Sequence, residues 1–137
     1  MLWRTLLSLM LLTSAIALTG CGDKSGRELM IGTRESKDTV SFAEHQAVKD
    51  PESIEEFVSF VENAPPAEAA ADEKKTDPDY IVTVNDWDDS VMETWVNLWL
   101  RPDGTILFNK GTGSGGAEYY AFDRESSDKI KERLGLK

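Results

Sequence analysis

The chain has a single cysteine among its 137 residues, so no disulfide can close within it and no thiolate cluster can hold a metal. It has one histidine, His45, which limits any histidine-based catalytic set to that position. Basic residues are scarce, 15 against 25 acidic ones, for a formal charge of −10. That balance argues against nucleic acid, which needs a basic footprint, and it is repelled by anionic lipid. Long apolar runs are missing too: the one apolar stretch, Thr5 to Leu18, falls short of the about 20 residues that cross a bilayer as a helix.

That short stretch has the three parts of an export signal over residues 1–20. Arg4 and the amino terminus are positive, Thr5 to Leu18 are apolar, and small residues come last. The junction Leu18-Thr19-Gly20-Cys21 resembles the lipobox of bacterial lipoproteins. The resemblance implies a diacylglyceryl thioether on Cys21 and cleavage between Gly20 and Cys21. A free thiol behind an ordinary signal and an uncleaved anchor are the alternatives. Each buried CH₂ adds about 0.8 kcal/mol, so two or more acyl chains would anchor the chain firmly where one would not. Gly22 stands where some Gram-negative lipoproteins carry a retaining aspartate, so a one-membrane and a two-membrane cell both fit.

Residues 1–20 hold one basic residue and no acidic one, so residues 21–137 carry 14 against 25, a formal −11. They have room for one small domain. Residues 21–27 are small and polar, as expected of a tether. Over 28–63, Leu29-Met30-Ile31 and Thr39-Val40-Ser41-Phe42 are expected as short strands. Asp50-Pro51 opens a helix over about 51–63, with Ile54, Phe57, Val58 and Val61 on one stripe. Residues 64–79 begin with Pro65-Pro66, lack an apolar stripe and read as a flexible linker, with a short helix over 67–75 as the alternative.

From Tyr80 the period becomes two. Strands are expected at Tyr80 to Val84, Val91 to Leu100, Thr105 to Asn109 and Ala117 to Phe122, in a meander closed by a helix that Asp123 caps and Gly135 ends. In the second of these strands Met92, Val96, Leu98 and Leu100 share one face, with Trp95 and Trp99 on the other. The expected fold is α+β: a small antiparallel β-meander sheet over 80–137, with both helices packed on one face.

Pro78-Asp79-Tyr80, Leu98-Trp99-Leu100 and Tyr119-Tyr120 before the closing helix together resemble the YhfM-like domain of small Gram-positive cell-envelope proteins. The likeness covers about 78–136, and more loosely the 51–63 helix. It implies a fold and an envelope location; its motifs are aromatic rather than catalytic. The Ala-rich 64–79 segment and the glycines of 111–116 depart from the pattern.

Gly111-Thr112-Gly113-Ser114-Gly115-Gly116 spells G-x-G-x-x-G, but it leads into a strand, so no helix end waits for a phosphate and a hairpin loop is expected. Ser114 with His45 and upstream aspartates faintly echoes a His…Asp…Ser order in a chain too short for a chymotrypsin-like double barrel; His45 is expected as a surface residue. Asp86, Asp88 and Asp89, with Asp77 and Asp79 near in sequence, lack the spacing of a Ca²⁺ loop and read first as a solvated acidic turn. Trp95 and Trp99, with Trp87, are the candidate partner surface if exposed; a buried central strand is the simpler expectation. The resulting expectation is a lipid-anchored, non-enzymatic module outside the cell membrane, without cofactor or metal, that binds or modulates an envelope protein or glycan. A small envelope hydrolase and a structural or stress-linked lipoprotein are the alternatives.

Overall fold

The computed structural model describes residues 26–112 and 118–137. The expected export signal, the expected lipidation at Cys21 and most of the expected 21–27 tether lie outside these residues, as does Ser114.

Six strands form one antiparallel sheet: β1 (Arg27–Ser36), β2 (Thr39–Phe42), β3 (Tyr80–Asp86), β4 (Val91–Leu100), β5 (Ile106–Lys110) and β6 (Tyr119–Phe122), in the order β2-β1-β3-β4-β5-β6. The four-strand meander is therefore part of a larger sheet, because the N-terminal hairpin adds itself to β3. β1 is ten residues long rather than three, pairing with β3 over Arg27 to Gly32 and with β2 beyond. At their crossing Gly32 faces Phe42, and a Cβ at Gly32 would lie 2.9 Å from the Phe42 ring, so the ring sits where only glycine leaves room.

Two helices, α1 (Pro51–Asn63) and α2 (Arg124–Leu134), cover one face. Asp50 accepts from Ser53 N at 3.1 Å and Asp123 from Ser126 N at 2.7 Å, so each helix opens on a side-chain cap. Gly135 takes the left-handed conformation that ends α2, and Leu136 N closes the turn on Lys131 O. Ile54, Phe57 and Val61 from α1 and Ile130 and Leu134 from α2 meet Val82, Val84, Val96, Leu98 and Phe108 of the sheet. Phe108 stacks on Phe122 at 4.3 Å between ring centres. Ser127 is fully buried on α2, where its Oγ accepts from Ile106 N (3.0 Å) and donates to Phe122 O (3.3 Å), fixing the helix to two strands.

Met92 does not join this core. The pairing of β3 with β4 skips Glu93, so Val84 faces Thr94 but Asn85 faces Met92. One extra residue reverses the alternation, and Met92 is left exposed on the other face. Glu93 instead meets Arg27 at 2.9 Å, and Arg27 also pairs with Glu55 of α1.

The 64–79 segment, expected as a loose connection, is tied along its length. Pro66 bridges to Tyr120, with Ala67 N on Tyr119 O and Ala121 N on Pro65 O, which covers the free edge of β6. A single 3₁₀ turn, Glu73–Lys75, stands where a short helix was the alternative. Arg101 holds that turn with two 2.9 Å bonds to Glu73 and a third to Glu68 O. The guanidinium holds the Glu73 carboxyl below its ordinary range. Among the described residues no helix is long and apolar enough to cross a membrane.

Candidate functional site

Opposite the helices, the sheet presents a second face built on different chemistry. Ile81, Thr83 and Leu107 are fully buried there, and so, almost completely, are Asn85, Asn97, Asn109 and Glu28. Cross-strand pairs put these residues together: Ile81 with Asn97, Asn97 with Asn109, Trp99 with Leu107, Thr83 with Trp95. Buried amides need partners, and Asn97 has three. Its Oδ1 accepts from the Trp95 indole at 3.2 Å, and its Nδ2 donates to Asn109 Oδ1 at 2.8 Å and to Gly111 O at 2.9 Å.

The three tryptophans, candidates for a partner surface only if exposed, all come to this face, and the simpler expectation of a covered strand is the one that holds for Trp99. They do not form an exposed pair. Trp99 is buried, with its N–H on Thr76 O at 3.2 Å; Trp95 is half-buried and meets the Phe42 ring edge-on at 6.3 Å. Trp87 is half-buried, with its N–H on the buried Glu28 carboxylate at 2.9 Å. Thus the indole N–H groups act within the fold, and what the indoles present outward is carbon.

Where β1 turns into β2 and the 64–79 segment returns to β3, this face hollows into an open cleft of about 450 Å³. Asn97 and Asn109 form its floor, and Trp99 and Tyr119, 5.8 Å apart between ring centres, its aromatic side. Arg34, Lys37, Lys74 and Lys75 line the rim with Asp38 and Asp77. Four cations against two anions is a reversal of sign on a chain of net −10. Arg34 is also bonded to Lys37 O at 2.8 Å, which fixes the hairpin tip.

The other candidates separate. Asp86 accepts from the backbone N–H of Asp88 (3.0 Å) and Asp89 (3.3 Å), which makes the acidic turn a self-capped one. Asp77 and Asp79 lie at the opposite end of β3, about 20 Å away for a strand of this length, and Asp79 accepts from Leu100 N at 2.7 Å. Among the described residues no three His, Cys, Asp or Glu side chains are grouped to hold a metal. His45 is exposed in a 3₁₀ turn, Glu44–Gln46. Of the glycine cluster only Gly111 and Thr112 are among the described residues; the hairpin loop expected over 111–116 otherwise lies outside them, and the next described element is the strand β6, antiparallel to β5.

The fold and this face define the class: an antiparallel α+β domain with helices on one side of its sheet and an amide-floored, aromatic-sided cleft on the other. The family model of the YhfM protein matches residues 23–136, and the chain belongs to that family. No curated protein and no solved structure gives a significant match.

Proposed function

We propose that this chain is a cell-envelope lipoprotein, lipid-anchored at Cys21 on the extracytoplasmic face of the cell membrane. In this reading it is a non-enzymatic module that binds an envelope component at the cleft of the Trp99 face. The observation that carries the reading is the cleft, whose polar floor is buried and held in place by bonds within the fold. Supporting it is a spatial relation. β1 enters the sheet at Arg27, beside Asp86, while Lys37 and Asp77 mark the far end, some 30 Å along a ten-residue strand. Cys21 stands six residues before Arg27, a reach of at most about 20 Å. A lipid at Cys21 would therefore hold the Asp86 end near the bilayer and turn the cleft away from it.

Two experiments test the two halves. Mass spectrometry of the N-terminal peptide from cell-extracted protein is expected to show a diacylglyceryl thioether at Cys21, and Cys21→Ala is expected to release the protein from membranes. An unmodified sulfur would remove the anchor. For the binding half, a photo-crosslinking residue at position 75 is expected to form adducts with envelope material in living cells, and one at position 132 on α2 is not. Equal labelling from both sites would remove the cleft as the binding surface.

A further inference from the structure

The geometry points to an acidic sugar residue, a hexose ring bearing a carboxylate or a phosphate, as the ligand of the Trp99 cleft. The inference rests on the reading of this cleft as a binding site, and is independent of the lipid anchor.

The floor sets the polarity of what enters. Asn97 is locked by three hydrogen bonds, and it engages the Oδ1 of Asn109. That orients the Asn109 amide, whose Nδ2 makes no hydrogen bond among the described residues although Asn109 is only 4 % exposed and lines the cleft. That N–H is open to the cleft rather than sealed in the core, so it is available to donate to a ligand oxygen. The floor thus offers the cleft a donor rather than an acceptor.

The rim points the same way. Lys37, Lys74 and Lys75 are exposed, and among the described residues none takes part in an ion pair. They stand free to meet an anion, and their field is focused in a concave site on an otherwise acidic chain. The aromatic side supplies the remaining constraint. The half-buried Tyr119 ring, backed by the buried Trp99 ring at 5.8 Å, gives the cleft aromatic carbon suited to the C–H face of a sugar ring. A volume of about 450 Å³ lies in the range of small-molecule sites and suits one or two sugar units. An acidic peptide matches the rim and its oxygens can accept from the floor, but an acidic side chain brings no C–H ring face to the aromatic side.

The test is calorimetric titration of the full chain with tri-galacturonate, glucose 6-phosphate, maltotriose and penta-glutamate, with tryptophan fluorescence followed in parallel. At least one acidic sugar is expected to bind ten times or more tighter than maltotriose and penta-glutamate, and to weaken as salt rises. The galacturonate and phosphate arms identify which acid group the site takes. The exposed pair Lys74→Ala/Lys75→Ala is expected to weaken binding about tenfold without altering the melting temperature. Asn109→Asp keeps the acceptor for Asn97 but replaces the free donor with a negative charge, and is expected to abolish binding. The inference is overturned if neither acidic sugar binds, if maltotriose or penta-glutamate binds as tightly, or if the lysine pair is without effect. Loss of sugar binding alongside persistent crosslinking from position 75 would reject the ligand class and leave the binding reading in place.

Discussion

The two faces of the sheet are buried to a similar degree by opposite means. Under the helices, Val82, Val96, Leu98, Phe108 and Phe122 are packed by side chains from α1 and α2, and the contacts are apolar. On the other face Asn85, Asn97, Asn109 and Thr83 are buried with no helix above them among the described residues. Their cover is made of tryptophans, the Phe42 ring and the returning 64–79 segment, joined by side-chain hydrogen bonds. An apolar face gains stability by excluding water and has no need of orientation. An amide face is stable only when each amide points one way, and that fixed orientation is also what a ligand site requires.

The comparison can be broken first on the helix side. Phe108→Ala removes a fully buried ring that stacks on Phe122, and is expected to cost about 3–5 kcal/mol in denaturant unfolding. A loss under about 1 kcal/mol would mean that the helix face is not the main core. Ser127→Ala leaves Ile106 N–H buried without its acceptor and is expected to cost about 1–3 kcal/mol in the same measurement. On the cleft side, Asn97→Leu withdraws three bonds at once, and a loss of about 1–3 kcal/mol is expected together with a shift in the Trp95 emission.

A smaller, pH-dependent effect belongs to the 64–79 segment. The Arg101 hydrogen bonds hold the Glu73 carboxyl below its ordinary value of 4.5, against an opposing push from partial burial. A depressed folded value means that the stabilisation is fully present above the unfolded value and lost as the pH falls through the folded one. Glu73→Gln is therefore expected to cost roughly 1 kcal/mol at neutral pH, with both proteins converging in acid. A constant difference across that range would show that the pair contributes no charge-dependent stability. Smallest of all, Met92→Ser is expected to change stability by no more than about 0.5 kcal/mol, because the Glu93 bulge has turned Met92 outward.

What the sequence revealed and what it hid divide along physical lines. Local signals were legible: Asp50-Pro51 before Ile54, Phe57 and Val61 gave α1 within its observed bounds, and Asp123 and Gly135 bracketed α2. The α+β class and the YhfM likeness rested on the same kind of signal. The bulge at Glu93 was hidden because a slip in pairing leaves no mark on a strand's own composition. The docking of 64–79 was hidden because its anchors, Arg101 and Tyr120, lie far along the chain. For the same reason the cleft was illegible as a site: the hairpin tip, the 3₁₀ turn and three strands each supply a part. One signal was present without being legible as a site. Alternation places Asn97 on the Trp95 and Trp99 side of β4, and polar amides inside a buried strand ask for partners.

The most direct measurement of the two-face account is an NMR titration of the full chain with tri-galacturonate and glucose 6-phosphate, following side-chain amides and indoles. The account predicts that at least one of them shifts the Asn97 and Asn109 amides and the Trp99 indole together, while backbone signals from Ile54 to Val61 and from Ile130 to Leu134 stay in place. Shifts that favour the helix residues, or none at the asparagines with either sugar, would contradict it.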